Sequence, residues 1–417
     1  MKHFYMLAAV AALLIMPAAS CDKIGGQEDN GDNAYKPLEL TTKASSYIQK
    51  GNTFTFDFIE RINKEAKEDY VISPLSMQFL LGMLLDGANG ETAAQIANVL
   101  GYGAGEVDEV NKFCLSMLEQ LPELDKKTTL NIANAIFVDD GWPLNKSFVS
   151  TVGKYFKAEV SNLDFSDNAA SLKAINGWSN SHTNGMIPKV LDEVDQRMLA
   201  YLMNAVYFKS QWVNQFPKES TIDEAFFYED GAMGKVKMMK MECELPYYEN
   251  DLFQLVSMPY GNGAFSMMVL LPKLLPDAES YTADIAAYLK KADWNKLRNS
   301  PSECKVDVWF PKFESKFKIQ LNDILSAMGM PLAFGNADFR AMSPYADCLS
   351  FVQQDGAIKV DEEGSEAAAV SVAGMLKNTA VGDIPQVAFF HADHPFIYLI
   401  TEASTGTVLF AGRYSGK

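Results

Sequence analysis

The spacing of apolar residues divides the chain into a helical first third and a strand-rich remainder. From Ser45 to about Tyr102, apolar positions recur at the spacing of amphipathic helices. Strand-like runs follow at 129–138, 198–208, 236–241, 252–259, 265–271, 305–311, 357–360, 396–401 and 408–412. Further helical patterns lie near 145–156, 169–181 and 319–328. Because helices and strands do not alternate regularly, the pattern predicts one large α+β domain.

One run of alternating residues differs from the other predicted strands. Between 362 and 374, one face carries only small side chains, namely Ser365, Ala367, Ala369, Ser371 and Ala373. Nothing bulky on that face would prevent the run from sliding over a packed core into a sheet. Its beginning is acidic and lacks the β-branched and aromatic residues that favour strands. The pattern therefore predicts a segment that can be either an exposed loop or a buried strand.

Composition narrows the class of protein. With 417 residues, of which 48% are hydrophobic, the chain can bury a large core. The formal net charge of -17 argues against nucleic acid as a partner, because a phosphate-binding surface needs an excess of Lys and Arg. The sequence indicates a globular protein that does not bind nucleic acid.

The N-terminus predicts export. Lys2 precedes an apolar run from about residue 4 to 16, which is too short to span a bilayer, so residues 1–20 are interpreted as a signal peptide. Small residues directly before Cys21 resemble a bacterial lipobox, which implies cleavage before Cys21 and lipid attachment to its thiol. Residues 21–43 are rich in Gly, Asn and Asp and predict a flexible tether. The expected location is the bacterial envelope, at the outer membrane or cell surface. A plain signal peptide and an extracellular protein are the alternative.

The remaining cysteines and the histidines do not indicate a catalytic or metal site. Cys114, Cys243, Cys304 and Cys348 are widely spaced, so disulfides and free thiols both stay open, and no metal is predicted. The chain has 4 histidines and lacks the G-x-S-x-G, H-E-x-x-H and P-loop motifs. We expect neither an enzyme nor a cofactor.

A series of short motifs, in order along the chain, resembles the serpin family over about residues 44–414. They are 73–76, 87–92, 183–187, 204–209 with Trp212, 363–369, 393–396 and 410–413. The resemblance implies an α+β serpin fold with three β-sheets, about nine helices and an exposed reactive-centre loop at about 364–386. It places a single serpin domain at 44–417.

The resemblance also implies a function. Serpins of the inhibitory kind act on serine endopeptidases, and cysteine endopeptidases are a further class, through loop cleavage, a covalent acyl-enzyme and insertion of the loop as a new central strand. The implied partners are target proteases, and the protein is expected to be a monomer that meets a membrane only through its lipid. The alternative is a non-inhibitory serpin that serves as a binding or chaperone-like surface protein.

The resemblance assigns the hinge of the loop to eight residues. They are Glu362, Glu363, Gly364, Ser365, Glu366, Ala367, Ala368 and Ala369. Non-inhibitory members tend to carry bulky, charged or proline residues on the small face, and this chain has none there, which favours inhibition. Counting from Glu362 places the reactive bond between Asn378 and Thr379. A shift of one residue makes Lys377 the residue that enters the protease pocket, and Met375 or Leu376 are further alternatives.

Two more groups of residues are implied to control opening of the sheet. Lys312 resembles the ion-pair partner of Glu362, and Trp212 would pack beside them. A polar cluster under the parting strands is formed by Ser73, Ser76, Asn204 and Gln354. Gln354 stands where many relatives have histidine, and an amide can donate and accept hydrogen bonds without titrating. The ordinary interpretation of Glu362 with Lys312 is a partly exposed ion pair, and that of Trp212 is a core residue. For Ser73 it is the N-cap of a helix.

Overall fold

The computed structural model of the protein describes residues 33–103, 105–273, 282–365 and 387–417. None of the helices in these ranges combines the length and apolar character needed to cross a bilayer. The described residues form nine α-helices, which are α1 Thr42–Glu65, α2 Pro74–Gly87, α3 Gly90–Val99, α4 Val107–Gln120, α5 Lys146–Tyr155, α6 Asn168–His182, α7 Ala283–Lys291, α8 Trp294–Arg298 and α9 Asn322–Met328.

Within the described ranges, the strands form a six-stranded and a nine-stranded sheet. In chain order they are β1 Tyr70–Ile72, β2 Thr129–Asp139, β3 Glu159–Leu163, β4 Ala200–Gln211, β5 Ile222–Phe227, β6 Met233–Glu249, β7 Phe253–Tyr260, β8 Phe265–Pro272, β9 Ser302–Pro311, β10 Phe313–Gln320, β11 Gln353–Val360, β12 Gly364–Ser365, β13 Ala388–His391, β14 Phe396–Glu402 and β15 Val408–Tyr414. The smaller sheet has the order β10-β11-β12-β4-β2-β3. The larger has the order β1-β15-β14-β8-β7-β6-β9-β13, with β5 paired to β6.

The long strand β6 joins two parts of the larger sheet. Its first residues pair with β5, its middle with β9, and only residues 247–249 pair with β7. Counted separately, these two parts and the six-stranded sheet are the three sheets that the sequence analysis expected. The α+β fold with about nine helices is confirmed.

Helix α2 forms the core beneath the six-stranded sheet. Its sequence is apolar around the whole helix, and 12 of its residues are buried, as is typical of a helix surrounded by protein. It contacts both β4 and β15. Ser73 caps its N-terminus, because Ser73 Oγ accepts a hydrogen bond from Ser76 N, and Pro74 occupies the first turn. The cap fixes where α2 begins, directly below the strands that carry the site.

Two boundaries differ from the sequence prediction. The segment expected to be a tether up to residue 43 is partly folded, because Leu38 is buried in the core and α1 already begins at Thr42. The helix expected at 319–328 begins only at Asn322, because residues 319 and 320 still pair with β11 as the end of β10. In both places tertiary contacts outweigh the local pattern.

The four cysteines within the described residues are free thiols. Cys114 is buried, Cys243 and Cys304 are half-buried, and Cys348 is exposed. Burial raises the pKa of Cys243 to about 12, which keeps this thiol protonated at neutral pH. Of the two alternatives left open by the sequence, the structure therefore has the free thiols.

A buried contact between α2 and α4 joins Asp86 to Asn111. Asn111 Nδ2 donates to Asp86 Oδ1 at 2.8 Å. The other two oxygens, Asp86 Oδ2 and Asn111 Oδ1, are buried and have no hydrogen-bond partner among the described residues. A carboxylate has no proton to donate, whereas a protonated Asp86 can donate one to an amide oxygen. Burial, with a smaller contribution from the charge of Asp108, raises the pKa of Asp86 to about 6.

We expect Asp86 to make the folded protein less stable as the pH rises from about 4 to 7. Its pKa in the folded state lies above the value of about 3.9 in an unfolded chain, so the folded state binds the proton more tightly. This stabilisation is fully present below about pH 4 and is lost as the pH rises through about 6, by roughly 3 kcal/mol. Urea unfolding of the wild type and Asp86→Asn, which keeps an N–H donor at every pH, measures the difference. The same pH dependence in both proteins would contradict the prediction.

Candidate functional site

The hinge begins as a strand inside the six-stranded sheet. Ser365 of β12 pairs with Ser210 of β4 on one side and with Val360 of β11 on the other. Beyond Ser365 toward the start of β4 and β11, no backbone hydrogen bond joins these two strands within the described ranges. Beyond Ser365, β4 and β11 are therefore separated by a gap in the hydrogen bonding of the sheet.

A glycine is needed directly before Ser365. A Cβ atom at Gly364 would lie 2.1 Å from the carbonyl oxygen of Ser210, a distance that no side chain can adopt. The chain reaches this position through a tight turn, in which Asp361 N donates to Gly364 O at 2.9 Å and Gly364 N donates to Asp361 O at 3.3 Å. The turn, residues 361–364, is called the hinge turn below. It sends the chain back between the two strands.

Two stacked aromatic side chains support the hinge turn. The rings of Trp212 and Tyr260 lie 4.3 Å apart and nearly parallel. Trp212 Nε1 donates to Asp361 O at 3.0 Å, and Trp212 N donates to Glu363 O at 2.9 Å. The hydroxyl of Tyr260 lies 2.7 Å from Ser365 Oγ. Trp212 therefore binds the turn beside which the sequence analysis expected it to pack, and Tyr260 contacts the side chain of Ser365.

Each of the two glutamates of the hinge turn has a lysine partner. Lys312 Nζ lies 2.7 Å from Glu362 Oε2, which confirms the expected ion pair, and Thr221 Oγ1 donates to Glu362 Oε1 at 2.9 Å. Lys218 pairs with Glu363. Burial by itself would raise the pKa of Glu362, but the hydrogen bonds from Lys312 and Thr221 lower it below its ordinary value. Glu362 is thus a carboxylate at neutral pH.

The residues of the polar cluster on β11 and on β4 bond to different neighbours and not to each other. Gln354 of β11 bonds to the backbone of Ser73, with Nε2 donating to Ser73 O at 2.8 Å and Oε1 accepting from Ser73 N at 3.3 Å. Asn204 of β4 instead donates to Asn134 Oδ1 of β2 at 2.7 Å. Asn204 Oδ1 is buried without a hydrogen-bond partner among the described residues. The cluster therefore holds a spare acceptor on β4.

Cavities follow the space between β4 and β11. One, of about 300 Å³, lies near the start of both strands and is lined by residues 200–203 on one side and 351–353 on the other. A second cavity, of about 50 Å³, lies closer to β12 and is lined by all four residues of the polar cluster. Together these cavities mark a cleft that continues the line of β12 across the sheet. It is called the central cleft below.

The structure reaches only part of the predicted site. Glu362, Glu363, Gly364, Ser365, Trp212, Lys312 and the polar cluster are placed as described above. Outside the described residues lie Glu366, Ala367, Ala368, Ala369, Lys377, Asn378, Thr379 and Cys21. Sequence reasoning missed Tyr260, Lys218, Thr221 and Asn134. Each of these contacts the site from a distant part of the chain, and none belongs to a pattern that a sequence displays.

Comparison with known proteins identifies the family. A family model described as Serpin (serine protease inhibitor) matches residues 49–416. The chain is 34% identical over 359 residues to neuroserpin of Gallus gallus, covering 83% of this chain and 85% of that protein. It is 33% identical over 375 residues to serpin B6 of Macaca fascicularis, covering 88% and 98%.

Solved structures agree with the sequence relatives. The native state of tengpin, a thermophilic serpin, matches with a TM-score of 0.79 at 29% identity, over 92% of this chain and 97% of that one. The fold is that of a class of serine protease inhibitors whose members are generally inhibitors and not catalysts. The chain belongs to the serpin family.

We expect the two lysines at the hinge turn to contribute unequally to stability. The Lys312 side chain is 41% exposed and Glu362 8%, whereas Lys218 is 66% exposed and Glu363 10%. The more exposed lysine is better screened by solvent, so Lys312→Met should cost about 1 kcal/mol and Lys218→Met measurably less than Lys312→Met. Urea unfolding measures both values.

Lys189→Met is the matched control for the two lysines. It removes an ion pair with Asp192 in which both side chains are more than half exposed, so the free energy of unfolding should not change measurably. Equal or reversed effects of Lys312→Met and Lys218→Met would show that the hinge pairs do not act as their burial indicates.

Proposed function

We propose that the protein inhibits serine endopeptidases, with cysteine endopeptidases as a further class, by a suicide-substrate mechanism. The protease nucleophile attacks the carbonyl carbon of Asn378, the amide bond to Thr379 breaks, and the proton passes to the new amine. The protease remains attached as an ester or thioester while the hinge side of the loop enters the central cleft. The single observation that carries the proposal is the pairing of Ser365 with both β4 and β11.

The register at Ser365 supports insertion of the small face. Continued unchanged, it would place Ala367 opposite Phe208 and Ile358, and Ala369 opposite Val206 and Gly356. Phe208 and Ile358 are buried, so only a small side chain fits between them and the core beneath. The residues that alternate with the small face would point to the opposite side of the sheet.

The same register offers a partner to the spare acceptor of the polar cluster. Ser371 would come to lie opposite Asn204 on β4 and Gln354 on β11. Its hydroxyl could donate to Asn204 Oδ1, which is buried without a partner among the described residues. Insertion would thus satisfy a polar atom whose burial is otherwise costly. This favours a cleft that is complementary to the hinge and not merely open.

The energy available from insertion is large. About a dozen inserted residues, at roughly 1 kcal/mol net for each hydrogen bond, would contribute on the order of 10 kcal/mol. That sum is comparable with the whole stability of an ordinary domain, about 5–15 kcal/mol. The uncut form is then a kinetic trap. Loop cleavage releases the free energy of insertion, which distorts the attached protease.

Incubation with proteases of different specificity tests the proposal. We expect at least one trypsin-, chymotrypsin-, elastase- or subtilisin-type enzyme to form an adduct that survives detergent and heat. Mass spectrometry of the released C-terminal fragment locates the cut. A fragment that begins at Thr379 supports Asn378 as the pocket residue, and one that begins at Asn378 supports Lys377.

Hinge variants are the control for this experiment. Ser365→Arg puts a charged side chain at a position that is 2% exposed, and Ala369→Pro removes a backbone donor from the incoming strand. Both should be cut without forming the adduct, whereas Ser365→Thr should still inhibit. Full inhibition by either disruptive variant would contradict insertion. A wild type that forms no adduct, and melts at the same temperature before and after cleavage, would indicate the non-inhibitory alternative.

We also propose that the mature protein is anchored through lipid on Cys21 at a bacterial envelope. The support is the sequence alone, in which an apolar run and small residues precede Cys21. The mass of the N-terminal peptide from membrane fractions tests this, because Cys21→Ser should remove both the lipid and the membrane association. An unmodified Cys21 would leave a secreted or otherwise unanchored protein.

A further inference from the structure

A buried carboxylate near the hinge has no place in the mechanism so far. Asp125 lies between α4 and β2 and is completely buried. Its carboxylate accepts hydrogen bonds from Thr128 Oγ1 at 2.6 Å, Lys127 N at 3.0 Å and Asn262 N at 3.2 Å. Burial of a carboxylate is costly unless several donors surround it, so this arrangement holds specific groups in place.

Through Thr128, Asp125 is linked to β4 next to Ser365. Thr128 Oγ1 lies 2.6 Å from Ser210 Oγ. Thr128 has one hydroxyl proton and donates it to Asp125, so Ser210 must donate to Thr128. Ser210 is the residue of β4 that pairs with Ser365. A chain of two directed hydrogen bonds therefore fixes Ser210 relative to Asp125.

Asp125 also contacts the β7–β8 turn directly after Tyr260, one of the two aromatic residues that support the hinge turn. A Cβ atom at Gly261 would lie 1.8 Å from Asp125 Oδ2, and Gly261 has a φ of +50°, so only glycine fits this contact. Gly261 N donates to Gln211 O at 2.9 Å, which ties the β7–β8 turn to β4. Tyr260, the preceding residue, holds Ser365 through its hydroxyl.

We propose that Asp125, acting through Thr128, is a positioning residue for insertion of the reactive loop. It sets the relative position of Ser210 and Tyr260, the two groups that receive Ser365 as the first inserted residue. This inference rests on the proposed inhibitory function and adds a residue to its machinery. Asp125 and Thr128 lie in the segment after α4, and this segment contains none of the sequence motifs described above.

The test uses two variants of Thr128, because Asp125→Ala would strand several buried donors and could prevent folding. Thr128→Val keeps the shape and removes the hydroxyl, whereas Thr128→Ser keeps the hydroxyl. In the intact protein, hydrogen exchange of the Trp212 and Phe216 amides, which donate to Glu363 O and Glu362 O, reports how firmly the hinge turn is held. We expect about tenfold faster exchange there in Thr128→Val, with Thr128→Ser close to the wild type.

Two comparisons separate this role from general destabilisation and from failure of the proposed function. Exchange in β14 and β15 should stay unchanged, and a uniform rise across the protein, or no rise at the hinge turn, would overturn the positioning role.

With a protease that the wild type traps, Thr128→Val should consume several times more inhibitor for each protease molecule trapped, and Thr128→Ser should restore the ratio. An unchanged ratio in Thr128→Val also overturns the role. If the wild type traps no protease, the inhibitory proposal fails instead, and a rise confined to the hinge turn still supports Asp125 as the group that positions Ser365.

Discussion

Ser365 can pair with two strands at once because Gly364 lets the backbone pass close to β4. With any side chain at 364, the carbonyl oxygen of Ser210 would be in the way, and the hinge turn could not direct the chain between β4 and β11. The contacts of Trp212, Tyr260 and both glutamates all depend on this path, because each binds a backbone or side-chain atom that the turn presents. A single close approach of two backbones therefore organises the site.

Because the central cleft separates β4 from β11, each of these strands must be held in place by its other neighbours. β4 pairs with β2 over ten residues, and β11 pairs with β10 over eight. Helix α2, most of whose residues are buried and apolar, supports the sheet from below. Each half of the sheet is therefore ordered by its own neighbours, and the line between the halves is where a strand can be added at least cost to the rest of the fold.

Polar groups around the hinge turn divide into two kinds according to burial. The ion pairs of Glu362 and Glu363 use lysines whose exposed side chains can move, so these contacts can be broken at small cost. Asp125, Thr128 and Ser210 are buried, and their hydrogen bonds are directed, so they hold a fixed geometry. In the proposed mechanism, the first kind suits groups that separate as the loop moves, and the second suits the frame that receives the loop.

The sequence by itself determined the fold class and led to the part of the hinge that the structure describes, residues 362–365. Alternation of small residues after Glu363 indicates a strand that can enter a core, and the family motifs led to Trp212 and to the pair of Lys312 with Glu362. Local patterns failed at residues 319 and 320, where pairing with β11 outweighs a helical periodicity. Tyr260, Lys218 and the Asp125 group became visible only in the tertiary structure. Each acts through one or two hydrogen bonds to residues about 80 to 145 positions away along the chain, and such isolated contacts leave no periodic signal in a sequence.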